Sequence, residues 1–172
     1  MPRLAVSNIA LSPYGHDGEL ERLPSLGLEG LEVAPSRVWR DTWKGLAAAE
    51  AEAYRKQVEK AGLRVIGLHS LFFDRPELGL FKGPEVGAET LDFLVHLSGL
   101  CRDLGGRTLI YGGGRKRGDV PFEDAFAETV EFCGELCRRI EGHGTRLCFE
   151  PLGPADSDFI NIVADALAIV EA

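Results

Sequence analysis

The chain has 172 residues, 45% of them hydrophobic, and its 27 acidic against 19 basic side chains give a formal net charge of −8. That length is enough for one domain with a real core, no apolar run reaches the roughly 18 residues of a membrane span, and the acidity argues against a broad phosphate-gripping surface for nucleic acid. The expected partner is therefore a small molecule rather than nucleic acid or a membrane. The N-terminus, Met1-Pro-Arg-Leu, runs straight into a strand pattern with no signal-peptide core, so the expected location is cytoplasmic.

In chain order, Leu4 to Ala10 reads as a short apolar strand with Ser7 and Asn8 near its end. Asp17 and Gly18 open a short helix in which Leu20, Leu23 and Leu26 recur at helical spacing, and Gly27 closes it. Gly30 to Ala34 is a second strand, stopped by Pro35. A loop from Ser36 to Lys44 holds both tryptophans, Trp39 and Trp43. The alanine- and charge-rich Ala47 to Ala61 is a helix, closed by Gly62.

Arg64 to His69 is the third strand, with His69 at its tip. A loop from Ser70 to Gly83 follows, and Pro84 starts a helix running to about Leu104. Arg107 to Tyr111 is the fourth strand and enters Gly112-Gly-Gly-Arg-Lys-Arg-Gly118. A helix over Pro121 to Glu141 leads to the fifth strand, Arg146 to Glu150. A last helix spans Phe159 to Ala172, with Ile162, Ala166 and Ile169 inward.

Strand and helix thus alternate five times, and the short, almost wholly apolar strands suit a parallel sheet covered on both faces. The junctions AGLRVI, LGGRTLI and HGTRLCF are one helix-to-strand connection used three times. An open doubly wound sheet and part of a (β/α)8 barrel both fit this alternation. No G-x-G-x-x-G follows the first strand, so a dinucleotide-binding fold has no support there. In either architecture, chemistry gathers at the C-terminal strand ends.

Cys101, Cys133, Cys137 and Cys148 do not suggest a disulfide framework. Cys133 and Cys137 share a helix face, where core packing is the expectation and metal or redox chemistry the alternative.

The stretches GLEGLEVAP, AGLRVIGLHSLFF, LGGRTLIYGGG and above all RLCFEPLGP resemble the sugar-phosphate isomerase/epimerase group of xylose isomerase-like TIM barrels, in order along the whole chain. The resemblance implies a single domain over residues 1–172 that forms a partial (β/α)8 TIM barrel of five βα units. A closed barrel needs about 250 residues, so the three C-terminal units are expected to be missing. It also implies a metal-dependent isomerase or epimerase working through an enediolate, or an N-terminal fragment of one, on a sugar or sugar phosphate. The metal would be divalent (Mn, Mg, Zn or Co), held weakly or not at all by this chain alone, since the later strands carry the family's other ligands. An open barrel edge is an aggregation liability, so self-association is expected to cover it. A non-catalytic truncated barrel and an endonuclease IV-like metal-dependent nuclease are the alternatives.

Glu150 ends an apolar strand, where a carboxylate is costly to bury unless paired or metal-bound. The resemblance makes it the metal ligand and the acid/base. His69 can hydrogen-bond a sugar hydroxyl or cap its own loop, and in relatives a His here lines the substrate pocket. Glu32 either faces the barrel mouth toward substrate or pairs with an arginine. Asn8 is a hydrogen-bonding candidate at the first strand. Trp39 and Trp43 stack on a sugar face or pack their own loop. Arg115, with Lys116 and Arg117 behind three glycines, holds a phosphate or is merely solvated. Asp156 and Asp158 assist the site or cap the last helix. His16 faces the pocket or lies outside it, and His96 and His143 are expected on the surface.

Overall fold

The computed structural model describes residues 4–172. Five parallel strands form one sheet: β1 (Ala5–Ser7), β2 (Gly30–Val33), β3 (Arg64–Leu68), β4 (Thr108–Tyr111) and β5 (Arg146–Phe149). Five α-helices accompany them: α1 (Asp17–Leu20), α2 (Ala48–Lys60), α3 (Pro84–Asp103), α4 (Phe122–Ile140) and α5 (Val163–Glu171).

The spatial order of the strands is their sequence order, β1-β2-β3-β4-β5. A doubly wound sheet would reverse direction at a switch point; here every connection steps to the next strand on the same side. This is the winding of a barrel, and β1 and β5 are its two open edges among the described residues.

The core explains why these segments fold as they do. Leu31, Val33, Val65, Leu68, Leu109 and Tyr111 are buried on the strands against Val58 of α2, Phe93, Leu94 and Leu97 of α3 and Leu136 and Ile140 of α4. Burying a side chain of this size contributes about 1.5–3 kcal/mol, so the helices owe their place to these apolar stripes more than to propensity. The other face of the sheet differs. Glu32, Ile66, Ile110 and Cys148 are only half-buried, because five strands curve around an interior they do not enclose. A smaller cluster of Ala125, Phe159, Ile160, Ala166 and Ile169 fastens α5 to α4.

Three sequence expectations change. The first strand ends at Ser7, and Asn8–Ala10 form a 3-10 turn capped by the Ser7 hydroxyl, which accepts from the Ile9 amide at 3.0 Å. The last helix starts at Val163, not Phe159. Phe159 and Ile160 are buried as loop residues, and Ile162 is 58% exposed rather than inward. His96 and His143 are half-buried, not surface residues: His96 Nε2 meets the Thr42 carbonyl at 3.0 Å, and His143 Nδ1 meets the Ser98 hydroxyl at 2.8 Å.

All four cysteines are free. Burial pushes the Cys133 thiol up to about 12, and Cys133 packs against the α4–α5 cluster, so the packing reading of this pair holds for Cys133. Cys137 is exposed. No helix among the described residues is long and apolar enough to cross a membrane.

Candidate active site

At the C-terminal ends of β3, β4 and β5 lies a cleft of about 680 Å³. His69, the loop through Phe72 and Phe73, Gly112–Gly114, Glu150 and Asp156 line it. This is where an α/β barrel collects its chemistry, since each strand ends by delivering one residue and a loop to the same rim.

Glu150 is the residue immediately after β5. Its backbone continues the ladder for one step, its N–H donating to the Tyr111 carbonyl at 3.1 Å. Its side chain is exposed and enters none of the ion pairs among the described residues. Two neighbours set its position. The buried Arg115 guanidinium donates to the Glu150 carbonyl. Gly112 lies beneath the carboxylate, and a Cβ there would collide with Glu150 Oε2. The glycine leaves room for the carboxylate where it lies, and any side chain there would shift it.

His69 follows β3 and lines the same cleft. Its Nε2 meets the Ser7 hydroxyl at 2.6 Å and its Nδ1 the Ser70 hydroxyl at 3.2 Å. Burial pulls the imidazole below its ordinary value, and the Glu32 and Glu150 carboxylates partly pull it back. A neutral ring donates one hydrogen bond through its N–H and accepts one at its bare nitrogen, and carries no charge while it does so. Glu32, His69 and Glu150 therefore stand within one electrostatic neighbourhood. Glu32 enters no ion pair, so the arginine partner open in the sequence is not found among the described residues.

Other candidates are held inside the fold, by hydrogen bonds or by ring packing. Asn8 is fully buried. Its Oδ1 accepts from the Ala34 amide at 2.8 Å and its Nδ2 donates to the Ala34 carbonyl at 3.2 Å. It pins β1 to the end of β2 and has nothing left for a substrate. Trp39 is buried in the core against Tyr54 of α2, with ring centroids 5.6 Å apart, rather than presenting a face to sugar. Trp43 likewise packs on Phe93 at 5.1 Å. His16 is buried with Nδ1 2.8 Å from the Tyr54 hydroxyl, away from this cleft.

Arg115 is 1% exposed. It donates to the carbonyls of Phe159, Ile160 and Glu150 and stacks 4.8 Å from the Phe149 ring centre. A guanidinium so engaged fastens the β4 loop to the segment after β5 and is not available to a phosphate. Arg117 is tied to Asp158, whose carboxylate accepts from the amides of Arg117 at 2.8 Å and Gly118 at 2.9 Å. Asp158 thus caps the β4–α4 loop and not α5, whose N-terminus has no side-chain cap. Lys116 lines the cleft and is exposed.

Sequence reasoning missed Phe73, which is 78% exposed at the cleft. The run LHSLFFD carries two adjacent phenylalanines, of which a strand-tip loop can bury only one, and Phe72 takes the buried place. It also missed the role of Gly114, at φ +74, where a side chain would strike the Phe72 ring.

The donor set can be tested against a divalent cation. Among the described residues no three His, Cys, Asp or Glu side chains converge. Glu150 offers one carboxylate, and both ring nitrogens of His69 are held by serines. These residues do not by themselves fit a cation centre, which wants three protein ligands or more.

Comparison with known proteins agrees with the winding. A family model described as a xylose isomerase-like TIM barrel matches residues 20–172. Among solved structures the chain is similar to D-psicose 3-epimerase with D-tagatose from Clostridium cellulolyticum H10, at TM-score 0.77 and 15% identity over 99% of this chain and 59% of that one. It is similar to 3-keto-D-glucoside 4-epimerase, YcjR, from E. coli, at TM-score 0.77 and 15% identity over 99% of this chain and 64% of that one. It is also similar to the IOLI protein with a binding zinc atom, at TM-score 0.75 and 17% identity over 99% and 58%. At such identities the likeness shows the fold, and the chain spans less than two thirds of the length of these structures. No match was found among curated proteins.

Proposed function

The chain belongs to the xylose isomerase-like TIM barrel family, and from that premise we propose that it carries the proton-transfer half of a sugar or sugar-phosphate isomerase or epimerase site. The observation that supports this reading best is the Glu150 carboxylate: exposed, outside the ion pairs among the described residues, and seated over Gly112 in a cleft that also holds a neutral His69.

In the proposed chemistry Glu150 takes the proton from the carbon next to a ketose carbonyl. The C–H electron pair moves into a carbon–carbon double bond and the carbonyl oxygen gains charge, giving an enediolate. Returning the proton to the neighbouring carbon, while the hydroxyl proton of the first carbon passes to the former carbonyl oxygen, isomerises the sugar; delivery of a solvent proton to the opposite face epimerises the carbon, with Glu150 releasing its own proton to solvent. His69 is neutral and anchored by Ser7 at Nε2, and its Nδ1 exchanges the longer 3.2 Å contact to Ser70 for a substrate hydroxyl. Phe73 gives an apolar face for the ring, and Lys116 is the cation open to a phosphate. The neighbours named epimerases act on sugars of this kind, which favours a ketose. The expected divalent cation needs ligands beyond Glu150, so no step is routed through one. The chain alone is expected to bind Mn or Mg no more tightly than millimolar.

Incubating the chain with a panel of ketoses and ketose phosphates in deuterated water, with and without Mn or Mg, tests the proposal by NMR. Loss of one substrate C–H signal supports it. Retention of every C–H signal across the panel contradicts it. A second reading, a sugar-binding half-barrel without turnover, is favoured by the lack of three converging donors among the described residues. It predicts saturable ketose binding with no exchange.

Exposed apolar side chains lie by the open β1 edge, Leu4 (58%) and Ile9 (50%), and on α5, Val163 (75%) and Val170 (71%). A second copy of the chain is the proposed cover, since exposed apolar surface of this kind marks contact sites. Light scattering at micromolar concentration that finds only monomer contradicts it.

A further inference from the structure

The helix-to-strand junction used three times in the sequence places an arginine at the same point each time. Arg64 opens β3, Arg107 stands one residue before β4, and Arg146 opens β5. The strands are parallel and adjacent, with the Arg146 amide donating to the Arg107 carbonyl at 2.8 Å and the Arg107 amide to the Ile66 carbonyl at 2.9 Å. The repeat therefore gathers the three side chains on one rim, at the end of the sheet opposite Glu150. They line a single cleft of about 860 Å³, joined by Arg55 and Glu59 of α2.

The charge there runs against the whole molecule. Four arginines face one glutamate inside a chain of net charge −8. Arg55 meets Glu59 at 3.7 Å, but Arg64, Arg107 and Arg146 enter none of the ion pairs among the described residues. The Arg55–Glu59 pair is made by Arg55 Nε, which is buried and has no partner at hydrogen-bond distance. Arg64, Arg107 and Arg146 are exposed, so their guanidinium groups are open to a ligand, and Glu59 is the one counter-charge lining the cleft. An anion bound among them offsets the repulsion between like charges and supplies acceptors to the three. The residue type narrows the ligand further, because guanidinium forks suit planar or tetrahedral oxyanions taken two oxygens at a time.

We propose that this N-terminal cleft is a binding site for a small polyanion of the phosphate or pyrophosphate class, separate from the Glu150 site. The recess and the strong negative charge of the rest of the surface favour a compact ligand over a nucleic acid, which would have to approach against that charge. The inference does not rest on the proposed sugar chemistry.

Titrating the 172-residue chain with inorganic pyrophosphate, by calorimetry and by amide chemical shifts, tests it. Saturable 1:1 binding is expected, with shifts at Gly105 and Gly144 on this rim and none at Gly112 and Gly113. In R107Q/R146Q the affinity falls by ~100-fold, ~10-fold per arginine removed; in R107K/R146K part of it returns; in E150Q it is unchanged. The absence of saturable binding, binding that R107Q/R146Q leaves intact while its melting temperature matches the parent's, or shifts confined to the Gly112 loop would each overturn the proposal. Shifts at Gly105 and Gly144 read the parent chain alone, so the test stands even if the double variant does not fold.

Discussion

Asn8 and Glu150 occupy equivalent places in the repeat, each just past the end of a strand, and they have opposite fates. Asn8 is sealed under the first loop with its amide oxygen and nitrogen both bonded to Ala34. Glu150 stands in a cleft with only its backbone engaged. A polar residue at a strand tip is therefore no sign of function by itself. What separates the two is whether the side chain's hydrogen-bonding capacity is already filled by the fold. Arg115 falls on the Asn8 side of this division, and His69 lies between, anchored by two serines yet facing the cleft.

The sharpest way to break the comparison is to exchange the two residues for near neighbours. Glu150→Gln removes a base that no other group replaces. Proton exchange on a ketose is expected to fall by ~10³-fold, while the melting curve moves by less than about 0.5 kcal/mol, as for an exposed residue without partners. A large loss of stability would place Glu150 with the structural residues. Asn8→Ala should do the reverse. It strands the buried Ala34 amide and carbonyl, and is expected to destabilise by about 2–3 kcal/mol in urea unfolding, with the exchange rate per folded molecule retained.

These outcomes bear on how much could be read from the chain itself. The five βα units, their order and the C-terminal location of the cleft were legible, because apolar periodicity and glycine stops report directly on burial and helix ends. Glu150 and His69 were placed correctly at strand tips for the same reason. The fates of Asn8, Trp39 and Arg115 were not legible. Each depends on a partner 15 to 44 residues away, Ala34, Tyr54 and Phe159 among them, and no local pattern announces such a pairing. The start of α5 was misread because Phe159 and Ile160 are as apolar as a helix stripe, yet they are buried as loop and Ile160 sits at φ +57. The threefold arginine was visible as a repeat, but its gathering into one cleft required the strand order.

A smaller perturbation probes the geometry between those extremes. Gly112→Ala pushes on the Glu150 carboxylate without touching its chemistry. Exchange should slow by ~10-fold from misplacement, with stability shifting by less than about 1 kcal/mol. An unchanged rate would mean that the carboxylate need not lie where it does.

The smallest effect is in pH. Burial holds His16, His69 and His96 below their ordinary value. Between those lowered values and ~6.5 the unfolded chain binds more protons than the folded one, so stability rises with pH there. It is complete above ~6.5 and is lost as pH falls through the folded values. Melting temperature followed from neutral to mildly acidic pH should show this slope, and His69→Gln should flatten part of it. A slope that H69Q leaves unaltered would assign the effect to the other two histidines.

The most direct test of the division between engaged and free strand-tip residues is deuterium incorporation into a ketose by the parent chain, E150Q and N8A, compared at equal folded concentration. Incorporation by the parent and N8A at similar rates, with E150Q silent, is the predicted result. Equal rates in the parent and E150Q, or loss in N8A with E150Q active, would contradict it.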